Sequence, residues 1–204
     1  MNPLVSLAKQ AVENYIKEEK IISPPTDLPE EFFKRKAGAF VTIEKNGDLR
    51  GCIGTYLPTK INIVEEIIHN AIAAATEDYR FGSIQKEELP HLSYTVYILG
   101  YPEPIKDIKE LDPKKFGVIV KTGPFTYPSD SDEEKREQPL FDLPNKEESS
   151  AFDSAIPYKT GLLLPDLDEV DTIEQQISIV CQKGGIDPQK EKIFIYRFTV
   201  EKHQ

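Results

Sequence analysis

The stretch from Gly38 to Gly54, Gly-Ala-Phe-Val-Thr-Ile-Glu-Lys-Asn-Gly-Asp-Leu-Arg-Gly-Cys-Ile-Gly, constrains the fold more than any other part of the chain. Two apolar, partly β-branched runs flank Asn46-Gly47, a strong short-range signal for a β-hairpin, so at least one strand pair must be antiparallel. A two-residue type I′ loop at Asn46-Gly47 would put Val41 and Ile43 on the face that carries Arg50 and Cys52. A three-residue loop, Lys45-Asn46-Gly47, with Gly47 left-handed, instead sets Glu44 opposite Asp48 and Thr42 opposite Arg50. The faces then separate, with Val41, Ile43, Leu49 and Ile53 on one side and Phe40, Thr42, Arg50 and Cys52 on the other. Because burial of one face selects a register, the sequence predicts the three-residue loop.

The same strand carries the chemistry. Residues i and i+2 share a strand face, so Arg50 and Cys52 are expected side by side, and a fixed cation favours the thiolate. Gly51 and Gly54 present bare backbone beside the sulfur, open to close approach by a ligand or another strand. The competing reading makes Cys52 a small buried apolar residue, as cysteines outside disulfides usually are. Exposure decides between them, and both stay open at this point.

Leu49-Arg50-Gly51-Cys52-Ile53-Gly54 resembles the signature hexapeptide of the AMMECR-like family, known in prokaryotes as protein A of the AmmeMemoRadiSam system. Gly38-Ala39-Phe40-Val41-Thr42 resembles the strand leading into it. Ala73-Ala74-Ala75-Thr76-Glu77-Asp78-Tyr79-Arg80-Phe81 resembles the family's Ala-Ala…Asp-Pro-Arg-Phe segment, with Tyr79 where proline is usual. Gly161-Leu162-Leu163-Leu164-Pro165 and Cys181-Gln182-Lys183-Gly184-Gly185 resemble two further elements near the C-terminus. The resemblance covers residues 1–204 as a single AMMECR-like domain, interrupted by an acidic insertion over residues 124–157. It implies association with a Memo-like protein and a radical-SAM protein, and it implies no particular reaction.

Composition bounds the function independently. With 204 residues the chain is long enough for one domain, or a main domain with an appendage. A net charge of −10 disfavours general nucleic-acid binding, which draws on clustered lysine and arginine. Half of that charge sits in residues 129–150, where eight acids face three bases. Phe125, Tyr127, Leu140, Phe141, Leu143 and Phe152 interrupt the polar run and make a partner-binding flap the alternative to a solvated loop. The two cysteines, with no leader and no long apolar run, set the expectation of a cytoplasmic protein with no membrane segment.

Periodicity supplies the other elements. Leu4, Leu7, Ala8, Ala11 and Tyr15 predict a helix over residues 3–20, and Asn62 opens a second to about residue 77. Residues 92–99, 117–121 and 193–200 read as strands, and Asp171-Thr172 opens a helix closed by Gly184-Gly185. The fold class is therefore α+β: a central antiparallel β-sheet flanked by helices, with a smaller appended subdomain.

Other chemistries find less support. The three histidines, His69, His91 and His203, have no zinc spacing; His69 falls on the polar side of its helix with Glu65 and Glu66, and His203 near a fraying end. No metal or cofactor is expected. The candidate catalytic residues are Cys52 and Arg50; Thr42, Gly51, Gly54, Asp78, Arg80 and Lys159 are candidate ligand-binding residues. Convergence of Arg50, Arg80 and Lys159 would form an anion-binding cleft, with Lys159 where the resemblance has arginine, charged but without the planar fork. Cys181 reads as core. Two functions follow: a small-ligand-binding or adaptor module working with Memo-like and radical-SAM partners, or an enzyme on a small anionic substrate using Cys52 activated by Arg50.

Overall fold

The computed structural model describes residues 2–124 and 158–204, so the acidic insertion expected over residues 124–157 lies, apart from Pro124, outside the described residues. The chain divides into two compact units, Met1–Tyr101 with Val200–Gln204, and Pro102–Thr199. Both combine helix with antiparallel sheet, the α+β class expected, and the strands of the described residues form two four-stranded sheets.

The first unit opens with α1 (Pro3–Glu18). Asn2 accepts the Leu4 N–H at 2.9 Å, Pro3 sits in the first turn where its missing N–H costs nothing, and Glu19 ends the helix in left-handed backbone at φ 56°. After the short α2 (Glu30–Lys34) come β1 (Ala39–Lys45), β2 (Asp48–Gly54), α3 (Ile63–Thr76) and β3 (Leu92–Leu99). The sheet order is β2-β1-β3-β8, where β8 is the last strand, Val200–His203. Val41, Ile43, Val96 and Ile98 point from the sheet into one core with Leu7, Ala11, Ile67 and Ala71 of the two long helices. Each fully buried aliphatic side chain of this size contributes about 1.5–3 kcal/mol, which explains why α1 and α3 settle on this face.

The second unit holds β4 (Glu103–Pro104), β5 (Gly117–Lys121), β6 (Thr160–Leu163), α4 (Ile173–Gly184) and β7 (Phe194–Phe198), with sheet order β4-β7-β5-β6. Thr172 and Gln175 cap α4 reciprocally and Gly185, at φ 61°, terminates it. Val118, Val120, Leu163, Val180 and Ile195 form a separate core that includes Cys181, whose thiol burial pushes up in pKa.

Three sequence expectations are corrected. The hairpin turn has two residues, not three: Lys45 pairs with Asp48, and Asn46 (φ 54°) and Gly47 (φ 93°) are both left-handed, as a type I′ turn requires. Glu44 then faces Leu49, and a bulge leaves Arg50 out of the ladder, so that Ile43 faces Gly51 and Thr42 faces Cys52 rather than Arg50. The bulge achieves mid-strand the face separation assigned above to the longer turn, and Leu49 moves to the solvent side. Secondly, residues 193–200 are not one strand. The chain leaves β7, paired with β5, and after Thr199 enters β8, paired with β3, because a β-branched run does not specify its partner. Thirdly, His203 lies within β8 opposite Val96, its Nδ1 3.1 Å from Asn2 Nδ2. His69 is exposed as expected, whereas Glu66 turns inward and is fully buried.

Gly51 is where α3 touches the hairpin: a Cβ there would stand 2.2 Å from the Ala74 carbonyl oxygen. Gly51→Ala should therefore lower stability by about 1–3 kcal/mol or more, measured by denaturant unfolding, since helix backbone has no soft side chain to yield.

Candidate functional site

The bulge determines where Arg50 goes. Out of register with β1, its guanidinium takes Glu88 in a fork, Nε to Oε2 and Nη2 to Oε1 at 2.9 Å each, and donates to the carbonyls of Gly82 (3.0 Å) and Ser83 (3.3 Å). Lys45 Nζ (3.0 Å) and the Gln85 N–H (2.9 Å) complete the shell of Glu88. The Arg50 fork, ahead of the Gln85 N–H and Lys45, holds Glu88 down at about 2, and Glu88 in turn raises Arg50. Arg50 is thus a clasp that fastens the segment after α3 onto β2.

Beside Cys52 the charge comes from a different pair. Asp78, only 4% exposed, accepts the Cys52 backbone N–H at 2.9 Å and Arg80 Nη2 at 2.7 Å on the same oxygen, Oδ2. Its Oδ1 accepts Arg80 Nε at 2.9 Å and the Arg80 N–H at 3.2 Å. Hydrogen bonding to Arg80 is the largest cause that holds Asp78 at about 2, with the Cys52 and Arg80 backbone N–H groups adding to it against desolvation. The Arg80 side chain is 45% exposed and its guanidinium carbon lies 5.1 Å from the Phe81 ring centre. Asp78 above all, with a smaller part from Cys52, raises the pKa of Arg80.

Cys52 is half-buried on the outer face of β2, and Thr42 Oγ1 donates to its sulfur at 3.3 Å. Tyr97, on β3 one strand beyond β1, keeps its proton: burial first, then Cys52 and Glu44, push its hydroxyl up. Cys52 is therefore the common electrostatic neighbour of a guanidinium and a phenol.

Of the sequence candidates, Thr42, Cys52, Asp78 and Arg80 lie together, and Arg50 is adjacent in the strand but committed to Glu88. Gly51 and Gly54 are filled by protein: a Cβ on Gly54 would meet Phe40 Cγ at 2.3 Å, so the fold alone accounts for both glycines. Lys159 belongs to the second unit, where Nζ pairs with Glu191 at 3.0 Å. Each cation of the expected trio has its own carboxylate: Arg50 with Glu88, Arg80 with Asp78, Lys159 with Glu191.

Sequence reasoning missed Glu88, Tyr97 and Glu66. Glu66 accepts from Thr55 Oγ1 (2.6 Å), the Thr59 N–H (2.7 Å), Thr59 Oγ1 (2.9 Å) and the Lys60 N–H (2.8 Å), which pins the segment that follows β2. Its signal was available, because residues 63, 67 and 70 are buried on the same helix and 66 falls among them at helical spacing. Nothing local links Glu88 to Arg50. Among the described residues no group of three or more His, Cys, Asp or Glu is placed to hold a metal ion, and no helix is long and apolar enough to cross a membrane.

Both depressed carboxylates make stability acid-sensitive. Their folded values lie below the ordinary ones, so each contribution, about 2–3 kcal/mol, is present above about pH 4–5 and fades as pH falls towards 2. Arg50→Ala should raise the midpoint of acid unfolding by about half a pH unit or more, and Arg50→Lys should recover only part of it, because lysine lacks the fork.

The AMMECR1 family profile matches residues 5–203. A Thermotoga maritima protein is 45% identical over all of this chain and 98% of its own length. A Clostridium acetobutylicum protein is 37% identical over all of this chain, which spans 36% of that longer relative. The crystal structure of the uncharacterised protein PH0010 from Pyrococcus horikoshii aligns with a TM-score of 0.72 and 29% identity, over 98% of this chain and 88% of that one. With a profile match over nearly its whole length and relatives alike from end to end, the chain belongs to the AMMECR1 family.

Proposed function

We propose that this protein is a small-ligand-binding or adaptor module whose ligand site is built on Thr42, Cys52, Asp78 and Arg80, and that it works with Memo-like and radical-SAM partner proteins. The observation that carries the reading is the sharing of one Asp78 oxygen by the Cys52 N–H and Arg80 Nη2, at 2.9 and 2.7 Å. A buried carboxylate thereby fixes a half-exposed guanidinium next to the backbone of the half-buried Cys52, a preorganised arrangement for a small anion. The partner half of the reading rests on the family resemblance. It is supported by the Clostridium acetobutylicum relative, in which the matched region is 36% of a longer chain, so such a module operates joined to further protein.

The second reading is an enzyme that uses Cys52 as nucleophile. Thr42 Oγ1 on the sulfur favours it, with Arg80 taking the role that the sequence assigns to Arg50. The binding module is preferred because Asp78 already neutralises Arg80, which leaves less net charge to activate a thiolate.

Two measurements separate them. Calorimetric titration with propionate should show saturable binding that Arg80→Gln weakens at least tenfold and Cys52→Ser leaves within twofold; absence of binding to the wild type rejects the anion site. Iodoacetamide labelling of Cys52 at neutral pH should change by less than about twofold in both Arg80→Gln and Arg50→Gln; a slowing of about three- to tenfold in Arg80→Gln would instead favour the nucleophile reading, and the same slowing in Arg50→Gln would return the activating role to Arg50.

A further inference from the structure

Arg80 stands between two aromatic residues on a turn. The Phe81 N–H donates to the Asp78 carbonyl at 3.0 Å, which closes a β-turn over Asp78-Tyr79-Arg80-Phe81 and sets Tyr79 and Arg80 at its two corner positions. Tyr79 is 95% exposed, the most exposed of the large apolar side chains among the described residues, and Phe81 is 37% exposed. Burial of these rings therefore adds little to the fold. Tyrosine, arginine and phenylalanine together are the composition that protein interfaces favour over ordinary surface.

The turn is also fixed from both sides. Ser83 Oγ donates to the Thr76 carbonyl at 3.2 Å and the Ile84 N–H to the Ala75 carbonyl at 2.8 Å, while Arg50 holds the carbonyls of Gly82 and Ser83. Asp78 grips Nε and Nη2 of Arg80, and Phe81 lies 5.1 Å from the guanidinium carbon. A surface ordered before contact loses little freedom when a partner arrives.

Charge says what kind of partner fits. Arg80 spends Nε and one hydrogen of Nη2 on Asp78, and Nη1 has no hydrogen-bond partner among the described residues. The Nη1–Nη2 end is thus open on a side chain 45% exposed, and two parallel N–H groups in one plane match a carboxylate. A free metabolite is held in a concave site, whereas the corner of a turn can bury its two rings only against a larger surface. A polyanionic surface is disfavoured: the chain carries a net charge of −10, and the exposed flanks of the turn hold Glu77 and Glu87 against Lys86. One carboxylate among apolar groups meets both demands.

We infer that Tyr79-Arg80-Phe81 is a docking surface for a protein segment that carries a single Asp or Glu between apolar residues, with the carboxylate on the Nη1–Nη2 end of Arg80 and the apolar neighbours on Tyr79 and Phe81. The inference rests on the Arg80 anion site and adaptor role proposed above and names the chemistry of the partner.

The test pans a phage-displayed random dodecapeptide library against the full chain and measures binding of the enriched sequence, as a fluorescein-labelled synthetic peptide, by fluorescence polarisation. The enriched sequences should share one acidic residue flanked by apolar ones. Replacing that acid by its amide, or Arg80→Gln in the protein, should weaken binding at least tenfold. Tyr79→Ala should weaken it at least fivefold and leave propionate affinity within twofold, because propionate reads the guanidinium alone. Thermal unfolding checks each variant, and Tyr79→Ala, at an exposed position, keeps the test decisive if Arg80→Gln fails to fold. If propionate binds through Arg80 but no peptide is enriched, or the peptide binds Tyr79→Ala as it binds the wild type, the docking surface is overturned and the anion site stands. If neither propionate nor peptide binds, both fall. Enrichment of polyacidic sequences, or of sequences without a carboxylate, overturns the partner chemistry.

Discussion

One extra residue in β2 organises this half of the molecule. Because the bulge releases Arg50 from the ladder, its guanidinium reaches Glu88 and the carbonyls of Gly82 and Ser83 and closes the chain between α3 and β3 against the hairpin. The Ile84 N–H on the Ala75 carbonyl, at 2.8 Å, and Ser83 Oγ on the Thr76 carbonyl, at 3.2 Å, fasten the same segment to the end of α3. With both ends held, Asp78 is delivered to the outward N–H of Cys52, and Arg80 follows Asp78. Without the bulge, Arg50 would sit in the ladder opposite Ile43 and the segment would lose its main tether.

That arrangement also deals with an exposed sheet edge. β2 is the outer strand of its sheet, and an edge strand with unpaired N–H groups invites pairing with another chain. A buried carboxylate on the Cys52 N–H occupies one such group with an acceptor that no incoming strand can displace cheaply, since its charge is already matched by Arg80. The same contact thus protects the strand edge while it holds the Arg80 guanidinium in place.

The elements were legible where periodicity or capping residues mark them. The long helices, the strand over 92–99 and the cap at Thr172 follow from spacing and from Asn, Pro and Gly at the ends. The site was legible in part: Thr42, Cys52, Asp78 and Arg80 were named and are close, whereas the partner of Arg50 was not foreseen. Glu88 is 38 positions away, and a carboxylate in a turn announces nothing about the guanidinium it will meet. The register failed for a related reason, because hydrophobic segregation constrains which residues share a face but not where the extra residue is placed to achieve it. Glu66 escaped because a charged residue on a helix is ordinarily read as solvent-facing, and only the convergence of two threonine hydroxyls and two backbone N–H groups makes its burial affordable.

The topology has a consequence for the order of assembly. β8 completes the first sheet beside β3, yet the chain between them, Pro102–Thr199, makes up the whole of the second unit. On the ribosome, β1, β2 and β3 emerge together with α1 and α3, and the outer edge of β3 is then bare until Val200–His203 has been synthesised. His203 meets Asn2 only at that moment, which joins the first turn of the chain to its final strand. Pairing across this sequence separation closes a large loop and belongs late in folding. The second unit therefore has time to form its own core while the first is still one strand short, and emergence of β8, rather than of the helices, completes the sheet.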